Sequence, residues 1–447
     1  MLHNTQDTIA AIATPSGNGG VGIIRISGTL AISIAKQLTN RPIFPRQALF
    51  TAFKDVDESV IDSGILLYFP TPASYTGENI VELQGHGGSV VLNMLLNRVV
   101  KLGARLANPG EFTERAFLNN KLDLAQAEAV ADLIESSTEQ SVRSAQKSMQ
   151  GVFSEKINEL VDEITELRVY VEAAIDFVDE EIDFLSDGIV EKKIIKIIEN
   201  IKKIQKTAQQ GRLLRDGMTV VLAGKPNSGK SSLLNALAGH EAAIVTDVAG
   251  TTRDILRERI QLDGMPLHII DTAGLRKSED EVEKEGIRRA KEEIKQADKV
   301  LLLIDSTDPD CESILQSLPS GLDITKIYNK IDLIEKQPEI IETEQGKQIH
   351  LSIKKDLGMD LLKNFLKKSV GFNSGMDDVF IARRRHIEAL NKGEKSVESA
   401  LFQLKTQAGE LVAEELRQAQ NSLAEITGAF SSDDLLGQIF SSFCIGK

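Results

Sequence analysis

The run Gly224-Lys-Pro-Asn-Ser-Gly-Lys-Ser231 leaves the middle of this chain few folds to choose from. Its two glycines, Gly224 and Gly229, allow a tight loop whose backbone N–H groups turn toward a phosphate. Lys230 brings a positive charge to the β- and γ-phosphates, and the Ser231 hydroxyl suits Mg2+. Such a run is a phosphate loop only with a strand before it and a helix after it. Thr219–Ala223 has the apolar pattern of a buried strand, and Ser232–Leu237 continues as a helix.

Three later motifs follow in the order a guanine-nucleotide switch requires: Gly250-Thr-Thr-Arg-Asp254, Asp271-Thr-Ala-Gly274 and Asn329-Lys-Ile-Asp332. Thr252 is the expected second switch ligand of Mg2+, Asp271 holds the ion through water, and the Gly274 N–H senses the γ-phosphate. Asp271 ends a strand, Leu267–Ile270, that pairs with Ile255–Leu262 through the turn Asp263-Gly264. The Asp332 carboxylate accepts from guanine N1–H and the 2-amino group, donors that adenine does not present. Lys330 lays its methylenes over the base, and Asn329 ties loops together. Ser352, after the strand Gln348–Leu351, sits where a backbone contact to guanine O6 is expected, although Ile353 replaces the alanine usual at the next position.

Ras-like enzymes place glutamine directly after the glycine of Asp-x-x-Gly to orient the attacking water. Here that residue is Leu275, which cannot polarise water, so another group must. The Asn227 side-chain carbonyl is able to ligate a monovalent cation beside the phosphates, where positive charge stabilises the transition state. Glu283 is a candidate for positioning the water, although from the residues alone the favoured reading is one of several solvated acidic residues in 278–285.

All eleven prolines fall between Pro15 and Pro109 or between Pro226 and Pro338. The proline-free intervals predict helical segments flanking a mixed α/β insert. In the first, Ile157, Leu160, Ile164, Leu167, Val171, Ala174 and Val178 form a seam on one helix face. Ile387, Leu390, Val397, Leu401 and Leu404 repeat similarly within 377–430. The seam covers only about three heptads, which favours a bundle over a coiled-coil stalk. Residues 1–118 alternate short β-rich runs (8–13, 22–26, 65–69, 80–83) with helical patterns at 29–39 and 89–102, as a small α+β domain does.

The expected architecture is therefore multidomain. An α+β domain occupies 1–118, an all-α bundle 119–215 and 376–447, and a Ras-like α/β P-loop domain is inserted at 216–375. A chain of 447 residues with 41% hydrophobic content has material for such cores. No apolar run approaches the ~20 residues that span a bilayer. The opening residues lack the pattern of a signal peptide, and Cys311 and Cys444 lie too far apart in sequence to predict a disulfide framework, so a cytoplasmic location is expected. A net charge of −14 argues against a broad basic face for nucleic acid.

Runs outside these motifs carry a closer likeness: Asp7-Thr-Ile-Ala-Ala-Ile-Ala-Thr-Pro15, Gly20-Val-Gly-Ile-Ile-Arg-Ile-Ser27, Ser74-Tyr-Thr-Gly-Glu78, Glu82-Leu-Gln-Gly-His-Gly-Gly88, Pro109-Gly-Glu-Phe-Thr-Glu-Arg-Ala-Phe117, Asn120-Lys-Leu-Asp-Leu-Ala-Gln-Ala-Glu128 and the terminal Cys444-Ile-Gly-Lys447. Over nearly its full length the chain resembles the MnmE (TrmE) family of tRNA-modification GTPases. The resemblance implies a folate-binding, dimerising N-terminal domain, a helical domain split by the G domain, and K+-stimulated hydrolysis. Asn227, Thr246, Val248 and Thr251 would hold K+, Ser231 and Thr252 would hold Mg2+, and Glu283 would be the catalytic glutamate. The GTP contacts it implies are Asn227, Ser228, Gly229, Lys230, Ser231, Ser232, Thr246, Thr251, Thr252, Asp271, Thr272, Ala273, Gly274, Asn329, Lys330, Asp332 and Ser352.

A 5-formyl- or 5,10-methylene-tetrahydrofolate site carries over to Arg25, Glu82, Lys121 and Lys447, where cationic side chains suit the folate carboxylates and Glu82 its ring donors. Cys444 reads either as an incidental thiol or, within the terminal motif, as a functional one. The implied partners are a second copy of the chain, an FAD-dependent protein, MnmG (GidA), in a heterotetramer, and tRNA held largely by that protein. The reaction implied is addition of an aminomethyl or carboxymethylaminomethyl group at C5 of the wobble uridine. A ribosome-assembly or RNA-checkpoint GTPase, or a dimerisation module with vestigial hydrolysis, would use the same engine without modifying tRNA. His86 is expected to accommodate an unusual backbone rather than to catalyse. The Gly85–Gly88 match to a KH-type RNA clamp has no Lys or Arg within or immediately beside it and is expected to be accidental.

Overall fold

The computed structural model describes residues 7–176, 188–239, 257–271, 297–310, 312–315, 322–343, 346–372, 379–429 and 433–446. They fall into two compact units, one of residues up to 134, 148–201 and 389 onward, the other of 135–147 and 202–388.

The first unit opens with six strands: β1 (Ile9–Ile12), β2 (Gly19–Ser27), β3 (Leu49–Lys54), β4 (Val60–Phe69), β5 (Ile80–Gly87) and β6 (Arg105–Leu106). Their order across the sheet is β3-β4-β5-β2-β1-β6. Alternation along each strand decides what each face carries. Ile24 and Ile26 of β2 and Val81 and Leu83 of β5 pack with Ile34 and Leu38 of the helix Ala31–Thr39 and Leu92, Leu95 and Val99 of the helix Ser89–Lys101. Arg25 and Glu82, the residues between those pairs, therefore emerge on the other face, and the antiparallel register sets them directly opposite one another. Gly85 and Gly87 belong to β5, so the Gly-x-x-Gly match begins in a strand.

The same unit contains much of the helical region. Ile157, Leu160, Ile164, Leu167 and Val171 are buried along the helix Val152–Asp176, each contributing about 1.5–3 kcal/mol of apolar burial. That helix packs against Gly409–Thr427, and Arg168 Nη1 donates to Gln420 Oε1 at 2.7 Å. Val178 lies outside the described residues. Ile387, Leu390, Val397, Leu401 and Leu404 all lie on the helix Arg384–Lys405, and Gln407, with φ at 57°, turns the chain before the next helix, Gly409–Thr427. The last helix, Asp433–Ser441, buries Leu436, Ile439 and Phe440 against Leu124 and Ala127, with Phe443 just beyond it.

The second unit is a doubly wound α/β sheet. Its strands are β7 (Met218–Gly224), β8 (Arg257–Leu262), β9 (Met265–Asp271), β10 (Lys299–Asp305), β11 (Ile324–Asn329), β12 (Glu339–Thr343) and β13 (Gly346–His350). The order is β12-β13-β11-β10-β7-β9-β8, parallel from β13 to β9 with antiparallel edges. Asp263-Gly264 closes the β8–β9 hairpin with φ of 48° and 85°. Val221, Ala223, Ile270, Val300, Leu302 and Ile304 form one core cluster. Ligands of such sheets lie beyond the carboxyl ends of the strands, where β7, β10 and β11 deliver the loops described next. Among the described residues no helix is long and apolar enough to cross a membrane.

Candidate functional site

The loop after β7 leads into the helix Lys230–Ala238, whose first-turn N–H groups have no carbonyl one turn earlier and so face the anion position of a phosphate loop. Lys230 Nζ donates to the carbonyls of Gly224 at 2.8 Å and Lys225 at 3.1 Å, which spans the loop with the ammonium. Asn227 has φ at 65° and an exposed side chain that no described residue bonds, while Ser231 is exposed at the helix start. The buried Ser228 Oγ finds no partner among the described residues. These groups fit a nucleotide triphosphate with its Mg2+, and an amide oxygen free for a monovalent cation fits K+.

The base-reading end is held by hydrogen bonds between three loops. Asn329 Nδ2 donates to Ser228 O at 2.9 Å, and its Oδ1 accepts from the N–H groups of Lys330 at 2.8 Å and Ile353 at 3.1 Å. Gly229 has φ at 108°, and a Cβ there would stand 2.4 Å from Asn329 Nδ2, so the clip requires glycine at this position. Ser352 Oγ donates to Asp332 Oδ1 at 2.5 Å, leaving Oδ2 for a base. The Ser352 N–H already donates to Leu357 O at 2.9 Å, so in this geometry Ser352 acts on Asp332.

A second constellation lies on the other face of the first sheet, where Ile9 and Ala11 of β1 pack with Phe112 of the helix Glu111–Leu118. Arg25 Nε and Nη2 each stand 3.0 Å from Glu82 Oε1, and Arg25 Nη1 lies 3.5 Å from Gly446 O. The guanidinium sits 5.7 Å from the Tyr75 ring centroid and 5.8 Å from that of Phe112. Gly446 approaches β1 so closely that a Cβ would lie 2.4 Å from Ile12 O, which seats the tail against the sheet. Burial pushes the nearby Tyr75 phenol upward. Glu82 bonds Arg25 and, at 3.4 Å, Gln84 Nε2, yet a carboxylate has about four acceptor positions and so keeps capacity for ring donors. Lys121 Nζ donates instead to Pro72 O at 3.2 Å, and no described contact joins it to the Arg25–Glu82 pair. Cys444 is exposed, and its carbonyl accepts the Gly110 N–H at 3.4 Å.

Under this face is a buried charge network. Arg115 Nη2 reaches Asp7 Oδ1 at 2.5 Å and Glu111 Oε1 at 2.9 Å, and Nη1 reaches both Glu78 oxygens at 3.2 Å. Arg105 adds two bonds to Glu111, at 2.8 and 2.5 Å, and one to Asp7 at 2.6 Å. Burial raises the Glu111 carboxyl, but Arg105, the Asn108 N–H and Arg115 outweigh it and hold Glu111 below the usual carboxylate range.

Comparison with known proteins bears on both sites. The description "GTP-binding protein TrmE N-terminus" matches residues 8–121 and "MnmE helical domain" matches 124–444. A "tRNA modification GTPase MnmE" of Hydrogenovibrio crunogenus is 56% identical, with 100% of each chain covered. The protein of the same description from Histophilus somni is 58% identical over 99% of this chain and 100% of its own. The one from Proteus mirabilis is 56% identical over 100% of both. The chain belongs to the MnmE family.

As an MnmE-family protein it is a GTP hydrolase that acts in tRNA modification, with the α+β, helical and inserted P-loop parts of that fold. Several expected MnmE site residues lie outside the described residues: Thr246, Val248, Thr251, Thr252, Thr272, Ala273, Gly274, Glu283 and Lys447. Asp271 ends β9 opposite Leu222 of β7, two residues before Gly224 opens the phosphate loop. Sequence reasoning passed over Asp305 and Ser306, which bond the Asn329–Lys330 segment, and over the pairing of Asp7, Glu78, Glu111 and Arg115. Their signal was available only in part: Asp305 ends a parallel strand, and Glu111 and Arg115 stand four apart, one helical turn.

Proposed function

We propose that this chain is a homodimeric, K+-dependent, cytoplasmic GTPase that acts with the FAD-dependent MnmG (GidA) in a heterotetramer. Together they add an aminomethyl or carboxymethylaminomethyl group at C5 of the wobble uridine of certain tRNAs. GTP hydrolysis drives G-domain pairing and a conformational step rather than the modification chemistry itself. The folate-binding and dimerising domain is 1–118, the helical domain 119–215 and 376–447, and the G domain 216–375.

The observation that carries this reading beyond a generic GTPase is the meeting of Arg25, Glu82 and the tail at Gly446 beside Tyr75 and Phe112. A cation, a carboxylate and the half-buried Tyr75 ring match the carboxylate tail, ring donors and flat face of a reduced folate, while the buried Phe112 backs the guanidinium. When bound, that folate supplies the one-carbon unit, while Mg2+ and K+ spread the charge of the phosphates. Lys230 and the first-turn N–H groups hold the phosphates, Ser231 and Thr252 take Mg2+, and Asn227 with Thr246, Val248 and Thr251 takes K+. Glu283 positions the attacking water, a task Leu275 cannot perform. A chain of net charge −14 leaves most of the tRNA to its partner.

The modified nucleosides of tRNA from cells with and without the gene test the function. Loss of the wobble-uridine modification is expected; an unchanged nucleoside profile would refute it. Hydrolysis is expected to run faster in KCl than in NaCl, and Asn227→Ala to remove the difference. Equal wild-type rates in the two salts would eliminate the cation assignment while leaving GTP binding intact.

A further inference from the structure

We infer that Asp305, at the carboxyl end of β10, is a positioning residue that anchors the Lys330 side chain as a platform for the guanine base. The inference rests on the base-reading role proposed for the Asn329–Asp332 loop and deepens it. β10 and β11 are parallel neighbours with Asp305 beside Asn329, so the two strands end together at the site. Lys330 then leaves the strand with φ at 66°, and its Nζ meets Asp305 Oδ2 at 2.6 Å.

The carboxylate is itself fixed. Asp305 Oδ1 accepts from Thr307 N at 3.0 Å and Thr307 Oγ1 at 2.7 Å, which prevents it from rotating away from Lys330. Ser306 binds the backbone of the same segment: its N–H and its side-chain Oγ both donate to Asn329 O, at 3.0 and 2.7 Å. The bond from Lys330, with those from Thr307, holds the Asp305 carboxyl down at about 2, so the anchor stays charged at any physiological pH. A free lysine stem samples many rotamers, and freezing it when a base arrives weakens binding. Anchoring the ammonium beforehand removes part of that loss.

Asp305 would also stand here if its only task were to cap the turn through Thr307, and a double-mutant cycle separates the two roles. GDP affinity is measured by calorimetry on the full chain for wild type, Asp305→Asn, Lys330→Met and the double variant. Asp305→Asn is expected to weaken GDP binding by about three- to tenfold, the value of one preordered side chain. In the Lys330→Met background the same change is expected to cost less than about twofold, because the group it positions is gone. An equal loss in both backgrounds, including one caused by misfolding, overturns the inference, as does an unaltered affinity for Asp305→Asn. The underlying reading is tested separately with Asp332→Asn, whose amide complements the C2 carbonyl of xanthine. A shift of preference from GDP to xanthosine diphosphate sustains the base-reading loop whatever Asp305 does. No shift removes that loop reading and the Asp305 inference with it.

Discussion

Arg115→Met is expected to lower the stability of the N-terminal sheet by about 3–5 kcal/mol, the usual cost of removing one partner from a buried ion pair. Arg115 is 2% exposed and Glu111 0%. Methionine fills much of the same volume, so the loss reports the charge and not a cavity. What remains is a buried Glu111 with Arg105 as its only cation, a Glu78 deprived of its guanidinium, and an Asp7 tied on one side. Asp7 belongs to the strand entry, Glu78 to the Ser74–Glu78 loop and Glu111 to the helix Glu111–Leu118, so a single guanidinium joins three segments distant in sequence. The change is measured by hydrogen exchange of peptides from β2 and β5 in the full chain, which reads local stability without assuming two-state unfolding of a multidomain protein. Exchange at wild-type rates would mean that the network contributes nothing to the sheet.

The same network sets a pH dependence of definite sign. For both Glu111 and Asp7 burial acts upward, but the arginines win and hold the carboxyls below their ordinary values of 4.5 and 3.8. A depressed folded pKa gives stability that is complete above the unfolded value and is lost as the pH falls through the folded one. The wild-type advantage over Arg115→Met is therefore full at neutral pH and shrinks below about pH 4.5, as the carboxyls take up protons.

The uneven legibility of the chain follows from what each signal depends on. The phosphate loop was readable because its chemistry is local: a strand, two glycines, Lys230 and a helix in one stretch. The observed strand and helix, Met218–Gly224 and Lys230–Ala238, extend the expected ones by only one or two residues at each end. No apolar period marks the helix Glu111–Leu118, which only the lack of proline after Pro109 favours, since Glu111, Thr113 and Arg115 are buried and polar. Ion pairs with Asp7, Glu78 and Arg105 make the burial of Glu111 and Arg115 tolerable, and the Tyr75 hydroxyl bonds Thr113, none of which periodicity can register. β3 escaped notice because an edge strand is buried on one side only and exposes Phe50. The pairing of Arg25 with Glu82 and of Lys330 with Asp305 depends on strand register between segments 57 and 25 residues apart. Arg25 and Glu82 could be named from the family resemblance, but their contact could not be drawn from spacing. Asp305, in no motif, was missed altogether.

Asn329→Ala is expected to weaken GDP and GTP binding by about 30- to 1,000-fold, because one amide holds three loops in register. Its loss leaves the Ser228 carbonyl and the N–H groups of Lys330 and Ile353 without their partner. Each buried unmet group costs about 1–3 kcal/mol, while the two part-buried amides recover some of this from water, so about 2–4 kcal/mol remains. At about 1.4 kcal/mol per factor of ten, that gives the stated range once the loops must be ordered by the nucleotide itself. Gly229→Ala attacks the same clip from the opposite side, since its Cβ would meet Asn329 Nδ2 at 2.4 Å with φ at 108°. In the Asn329→Ala background the collision partner is absent and only the backbone strain persists. Gly229→Ala should therefore cost less affinity there than in the wild-type chain, as equilibrium titration with a fluorescent GDP derivative would show. Equal costs in the two backgrounds would mean that Gly229 is required for its φ alone and that the Asn329 amide does not set the loop.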